Sequence, residues 1–207
     1  MFCDDGSTDR TLEVARTFPV RILALEHGGL SRARNHGLHA ASSEIVAFLD
    51  ADAEAHPEWP YHLALSLEDD GVVATGGPNL PPPGAPFAER AVTESPGGPV
   101  HVLISDDRAE HVPGCNMAFR KDVLEEVGGF DPVFTSAGDD VHVCWNLLDA
   151  GYEIAFAPAA QVRHHRPATL GTYLRQQRSY GRAERLLQGR HPHRFNRIGQ
   201  ELAQSGG

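Results

Sequence analysis

No apolar run in this chain of 207 residues approaches the roughly 20 residues that a membrane-spanning helix needs. No signal peptide is visible, because Met1-Phe2-Cys3 leads directly into Asp4-Asp5. Cysteine is scarce. Cys3, Cys115 and Cys144 are widely spaced and form no metal pair, which excludes a disulfide framework and sets the expectation of reduced thiols in a cytoplasmic protein. An excess of positive charge is also missing. The net charge is −10, which argues against general nucleic-acid binding. A glycine-rich phosphate loop near the start is absent, which weighs against a nucleotidyltransferase built around one. What remains is an ordinary globular composition, 41% apolar and long enough for one domain with a sizeable core.

The charge is unevenly spread. From Arg163 to Arg197 there are nine arginines and one acid, Glu184, whereas the other 172 residues carry nine Lys+Arg against 27 Asp+Glu. Such a segment is either a solvated basic face or a surface that meets anionic lipid or a phosphate-bearing substrate. Arg175, Arg178, Arg182 and Arg185 fall on one helical face, and Tyr173, Leu174 and Leu187 on another. The expected division is a main domain over 1–167 and a basic amphipathic helix and tail over 168–207, frayed from Gly189 onward.

The stretch around which the chain is organised is Ile45-Val46-Ala47-Phe48-Leu49-Asp50-Ala51-Asp52. Its apolar run is short for a helix and suits a buried strand. Residues i and i+2 of a strand face one side, so Asp50 and Asp52 are expected to point together where the strand ends. The carboxyl ends of strands line the ligand crevice of an open α/β sheet. Two convergent carboxylates there suit a hard divalent cation, Mn2+ or Mg2+, that also holds a substrate phosphate.

Short strands and helices alternate around this stretch. The chain opens on the end of a strand, which predicts an element upstream of it. Ser7 or Thr8 is expected to cap a helix that Pro19 stops, and 20–25 reads as a strand. Gly28-Gly29 frees the backbone for a turn. Ser31 reads as the cap of a helix to Ala41, and Arg32 and Arg34 near its start suit an anion. A helix over 57–67 and a strand at 72–74 follow. Residues 78–99 hold seven of the fifteen prolines and read as an irregular loop or lid. Then come an edge strand at 100–104, a turn and strand through Phe119, and a helix from Arg120 ended by Gly128-Gly129. Gly138-Asp139-Asp140 opens a helix where the dipole favours negative charge, and one of the two acids reads as a cap. Strands at 152–156 and near 162–166 precede the basic helix.

Five blocks, in order, resemble the family 2 glycosyltransferases. They are Asp4-Asp5-Gly6-Ser7-Thr8-Asp9; Ser31-Arg32-Ala33-Arg34-Asn35; Asp50-Ala51-Asp52; Asn116-Met117-Ala118-Phe119-Arg120 through Gly128-Gly129-Phe130-Asp131; and Gly138-Asp139-Asp140 with Val162-Arg163-His164 downstream. The resemblance implies an α/β fold of the GT-A type, a Rossmann-like sandwich with a mostly parallel central sheet. It implies transfer of a sugar, with inversion, from a UDP-, GDP- or dTDP-linked donor to a sugar or lipid-linked acceptor at the cell envelope. Asp4, Asp5, Arg34, Asn35, Asp50 and Asn116 would bind the nucleotide-sugar. Asp52 and His164 would hold Mn2+ or Mg2+, Asp140 would be the general base, and Asp139 would lie on the acceptor side. Asp139 stands where the family usually has Glu, and the strand and helix that usually precede the first block are not among these residues. In the basic segment a peripheral contact with the inner face of an anionic membrane is the functional expectation. The competing readings are a non-catalytic nucleotide-sugar-binding remnant, a nucleotidyltransferase and a membrane-surface module.

Overall fold

The computed structural model describes residues 1–93, 100–167 and 169–195. The chain begins with β1 (Phe2–Asp4), α1 (Thr11–Ala15) and β2 (Ile22–Ala24), and β1 and β2 pair in parallel as a small sheet. Next come α2 (Leu30–Ala40), β3 (Ile45–Leu49), β4 (Ala53–Ala55), α3 (Trp59–Ser66), β5 (Val72–Gly76) and β6 (Asn79–Leu80). The middle of the chain supplies α4 (Phe87–Thr93), β7 (Val102–Leu103), β8 (Ala109–His111), β9 (Asn116–Arg120) and α5 (Lys121–Glu126). The last elements are α6 (Asp139–Asp149), β10 (Glu153–Phe156), β11 (Val162–His164), α7 (Leu170–Arg190) and a 3-10 turn at Pro192–Arg194.

The central sheet has the order β10-β5-β9-β3. β10 runs parallel to β5, and β9 lies antiparallel to both β5 and β3. Three of the four strands therefore point one way and β9 alone is reversed. Strand direction follows the route of the connecting chain, which residue composition does not encode. Both faces of the sheet are covered. On β9, Met117 and Phe119 join a cluster with Leu38, Leu124, Phe130 and Leu147, whereas Ala118 faces Trp59, Leu63 and Val162 on the other side. That is the period-2 alternation of a strand with two dry faces. A second small sheet, β4-β11-β6, lies at the mouth of the site. No helix among the described residues is long and apolar enough to cross a membrane.

Several expectations need correction. Neither Ser7 nor Thr8 caps α1: Arg10 holds the cap position, and Asp9 Oδ1 accepts the Thr11 N–H at 2.9 Å; at α6 the cap is Gly138, not an acid. The proline-rich stretch is not irregular throughout: β6 pairs with β11, and α4 forms over Phe87–Thr93, while 94–99 fall outside the described residues. Prolines constrain only their own neighbourhood, and Pro81-Pro82-Pro83 sits between these elements. Ser31 does not cap α2. Gly29 occupies the cap with φ +92°, and Ser31 Oγ donates to the Phe134 carbonyl at 2.6 Å. The segment after Gly189 is ordered as far as Phe195. His191 and Arg194 are buried there, and Arg194 donates to Asp149 at 2.6 Å, which pins the end of α7 to the end of α6. Residues 196–207 lie outside the described chain.

Candidate active site

β3 ends at Leu49, and the chain turns through Asp50–Asp52 into β4. The turn sends the two carboxylates to different partners instead of leaving them side by side. Asp50 Oδ1 accepts from Arg34 Nη2 at 3.0 Å. Arg34, projecting from α2 and only 8% exposed, also donates through Nη1 to Asp139 Oδ2 at 2.6 Å and through Nη2 to the Gly114 carbonyl at 3.0 Å. Burial alone would lower the Arg34 pKa, but Asp139 and Asp50 outweigh it and the net shift is upward. Burial likewise pushes the Asp139 carboxyl up, against the Arg34 charge. α6 places Asp140 one residue on, partly exposed, where Oδ2 accepts the Gly114 N–H at 2.8 Å and Oδ1 the Val141 N–H at 2.9 Å. Adjacent helical residues diverge by about 100°, so one acid points into the interior and the other towards the opening.

His164, at the end of β11, faces this turn. Its Nε2 donates to Asp52 Oδ1 at 3.1 Å, and its Nδ1 is buried with no conventional hydrogen-bond partner among the described residues, the Cys115 thiol being its polar neighbour. Asp50, Cys115 and His164 bring one ligand atom each to within 4.8 Å of one another. Burial alone would lower the His164 pKa, but Asp52 and Cys115 outweigh it and raise it to about 9. The hydrogen bond from His164 holds the Asp52 carboxyl below its usual range. A buried cluster that attracts a proton so strongly and holds that imidazole nitrogen also fits a divalent cation, which would take that proton's place. Beside it, Asn79 Nδ2 donates to Cys115 Sγ at 3.2 Å and Asn79 Oδ1 accepts from Arg166 Nη2 at 2.8 Å. Tyr180 comes in from α7, its phenol pushed up to about 12 by burial and then by the nearby Asp140 charge. A second triple with similar ligand spacing, Asp149, His191 and His193, lies at the opposite end of α6.

The sequence profile described as Glycosyl transferase family 2 matches residues 1–128. The chain belongs to glycosyltransferase family 2. A second profile, Glycosyl transferase family 21, matches residues 103–192. Relatives of this family 2 chain include a pre-mycofactocin glycosyltransferase of Mycobacterium tuberculosis, 30% identical over 79% of this chain and 36% of that protein. Another is the glycosyltransferase AglE of Haloferax volcanii, 33% identical over 74% of this chain and 52% of that one. The chain thus spans about a third to a half of the length of these two relatives. Among solved structures, a mannosyltransferase from Pyrobaculum calidifontis, determined with GDP-Man and Mn2+, superposes with a TM-score of 0.66 and 25% identity over 89% of this chain and 51% of that one. The fold is accordingly the GT-A α/β sandwich.

Within this family 2 chain the expected site residues divide into two groups. Asp50, Asp52, Asp140 and His164 gather at the ends of β3, β11 and α6, with Arg34 behind them. Asp4 is buried at the end of β1: Oδ2 accepts the Ser7 N–H at 3.1 Å, and Oδ1 is buried with no partner among the described residues. Four expected ligands have other duties. Asp5 accepts the Gly28 and Gly29 N–H groups at 2.8 and 2.9 Å and so lashes the turn before α2. Asn35 exchanges two hydrogen bonds with the Phe130 backbone, which fixes the glycine turn after α5. Asn116, fully buried, accepts from Trp59 Nε1 and donates to the Pro78 and Ala160 carbonyls, so both its amide N–H donors are used. Asp139, expected on the acceptor side, is 1% exposed and pairs with Arg34. Short polar side chains near glycine turns serve the backbone as readily as a ligand, and spacing does not separate the two uses. Cys115, Arg166 and Tyr180 were not foreseen. The position of Cys115 inside the Gly114-Cys115-Asn116 turn and that of Arg166 two residues after His164 were the available signals.

Proposed function

We propose that this chain carries the donor site of an inverting, metal-dependent glycosyltransferase that moves a sugar from a nucleotide-sugar to an acceptor hydroxyl. The observation that carries the reading is the convergence of Asp50, Cys115 and His164, with a buried nitrogen that has no hydrogen-bond partner among the described residues, beside the partly exposed Asp140. Mn2+ or Mg2+ held there would act as a Lewis acid on the departing diphosphate. Asp52 orients the His164 ring through their hydrogen bond. Arg34 keeps the Asp50 carboxylate facing the centre. The Oδ1 of Asp4, buried with no partner among the described residues, would accept from a donor hydroxyl or base N–H. Asp140 accepts the proton that the acceptor hydroxyl loses as it attacks. One base with direct attack inverts the anomeric carbon, and no carboxylate nucleophile is required. The GDP-Man and Mn2+ in the Pyrobaculum enzyme support the donor and metal classes.

The basic helix supports a peripheral contact with anionic lipid and hence a lipid-linked acceptor. Arg175, Arg178, Arg182 and Arg185 are exposed along α7, and Leu170 and Leu174 on its first turns are 72% and 56% exposed. An amphipathic surface of this kind suits the inner face of a cell membrane. The central experiment is calorimetric titration of the purified protein with UDP and GDP, in Mn2+ and in EDTA, with single-turnover transfer measured in parallel on Asp140→Asn. Binding should depend on Mn2+, and the variant should bind nucleotide as the parent does while transferring roughly 10²–10⁴-fold more slowly. Equal binding in EDTA refutes the metal role, and near-parental transfer by Asp140→Asn refutes the base.

A further inference from the structure

Arg166 is held in an unusual state for a charged side chain. It follows β11 by two residues and is 7% exposed. Its Nη2 donates to Asn79 Oδ1 at 2.8 Å, and its backbone N–H donates to Glu89 Oε1 at 2.8 Å. Nε and Nη1, which together offer three N–H groups, are buried with no hydrogen-bond partner among the described residues. The buried Glu89 carboxylate and Asp52 stabilise the guanidinium charge, but neither accepts from Nε or Nη1, and leaving three buried N–H donors unused is unfavourable. Its surroundings name the missing partner. The Asn79 amide that accepts from Arg166 also donates to Cys115 Sγ, so the guanidinium stands one side chain away from the Asp50–Cys115–His164 triple. A divalent cation and a planar guanidinium side by side form a pair that grips adjacent phosphates, the cation as a point charge and the arginine through its N–H array.

We propose that Arg166 is the diphosphate anchor of this site, its Nε and Nη1 donors taking phosphate oxygens of the nucleotide-sugar next to the cation position. This rests on the glycosyl-transfer reading and adds to it the residue that neutralises charge on the leaving group where protein, not metal, faces it. Arg166 thereby favours the departing diphosphate over the bound donor, since charge on those oxygens grows as the glycosidic bond breaks.

Inorganic pyrophosphate with Mn2+ is the probe, because it lacks base, ribose and sugar. Titration calorimetry on the whole chain should show Arg166→Met binding it roughly ten- to hundredfold more weakly than the parent, the range for a charged hydrogen-bond set. Arg166→Lys keeps the charge without the planar array and should fall between them. The ligand-free melting temperature separates this role from a structural one: Arg166→Met should melt close to the parent, because three of the five guanidinium N–H groups have no partner among the described residues in the ligand-free state. Pyrophosphate affinity unchanged in both variants overturns the assignment, as does a ligand-free Arg166→Met protein that melts well below the parent. If the variants bind pyrophosphate normally while the parent still binds UDP or GDP in a Mn2+-dependent manner, the anchor alone is wrong. If the parent shows no metal-dependent nucleotide binding at all, the transferase reading falls with it.

Discussion

Replacing Arg34 by methionine removes the cation on which three parts of the chain converge. Asp139 would remain at 1% exposure with its 2.6 Å partner gone, Asp50 would lose its 3.0 Å contact, and the Gly114 carbonyl would lose a donor. Breaking a buried ion pair from one side costs roughly 3–5 kcal/mol, because the surviving charge cannot reach water. That is a large share of the roughly 5–15 kcal/mol that holds an ordinary domain together. With a urea slope of about 2–3 kcal/mol/M, the midpoint should fall by roughly 1–2 M. Most of the loss comes from the stranded Asp139 carboxylate, so Arg34→Met combined with Asp139→Leu should recover at least half of it, the unsatisfied Gly114 carbonyl accounting for the remainder. Equilibrium urea unfolding of the parent, both single variants and the double variant completes the cycle. A single-variant loss below about 1 kcal/mol, or a double variant no more stable than Arg34→Met, would mean that the pair is not the electrostatic hinge of the site.

Two further outcomes can be checked. Charge reversal at Arg178 and Arg182 should abolish salt-sensitive association with vesicles rich in anionic lipid while leaving nucleotide binding intact; salt-independent association, or none by the parent, would leave α7 as a solvated face. Stability should decline at both ends of the pH scale. Burial and the neighbouring His142 pull the His191 pKa down to about 4, so the unfolded state binds more protons between about pH 6.5 and 4 and stability falls as pH drops through that window; His164, raised to about 9, contributes fully below about pH 6.5 and loses that contribution as pH rises to 9. A melting temperature that stays flat from pH 7 down to 4, or an alkaline decline that survives in Asp52→Asn, would contradict these assignments.

Placement, as distinct from chemical role, was legible where a residue type has few uses. A pair of acids at the end of an apolar strand, an acid pair at a helix start and a histidine at the end of a late strand were all read from the chain, and the fold brings Asp50, Asp52, Asp140 and His164 together. Legibility ended where one residue type serves two purposes. Asn35 and Asn116 sit inside blocks from which donor contacts were expected, yet both spend their amide N–H groups on backbone carbonyls, and only three-dimensional pairing reveals that. Cys115 was read for what it does not form, a pair with another cysteine, whereas its neighbours in space are Asp50 and His164 from distant parts of the chain. The reversal of β9 was equally hidden, since an antiparallel insert between parallel strands has the same apolar composition as its neighbours.

That reversed strand also governs which length changes the chain can survive. β9 contacts a strand on each side, with Phe119 opposite Val46 on β3 and Ala74 on β5. Adding or deleting one residue between Gly114 and Arg120 would exchange its two faces, turning Met117 and Phe119 towards the Trp59 side and Ala118 towards the Phe130 side. The same slip would drag Cys115 along the strand by about 3.4 Å, out of reach of its two partners. In families of related sequences, insertions and deletions should therefore be purged from this seven-residue window and tolerated in the turns that precede α1 and β7, whatever substitutions each position accepts.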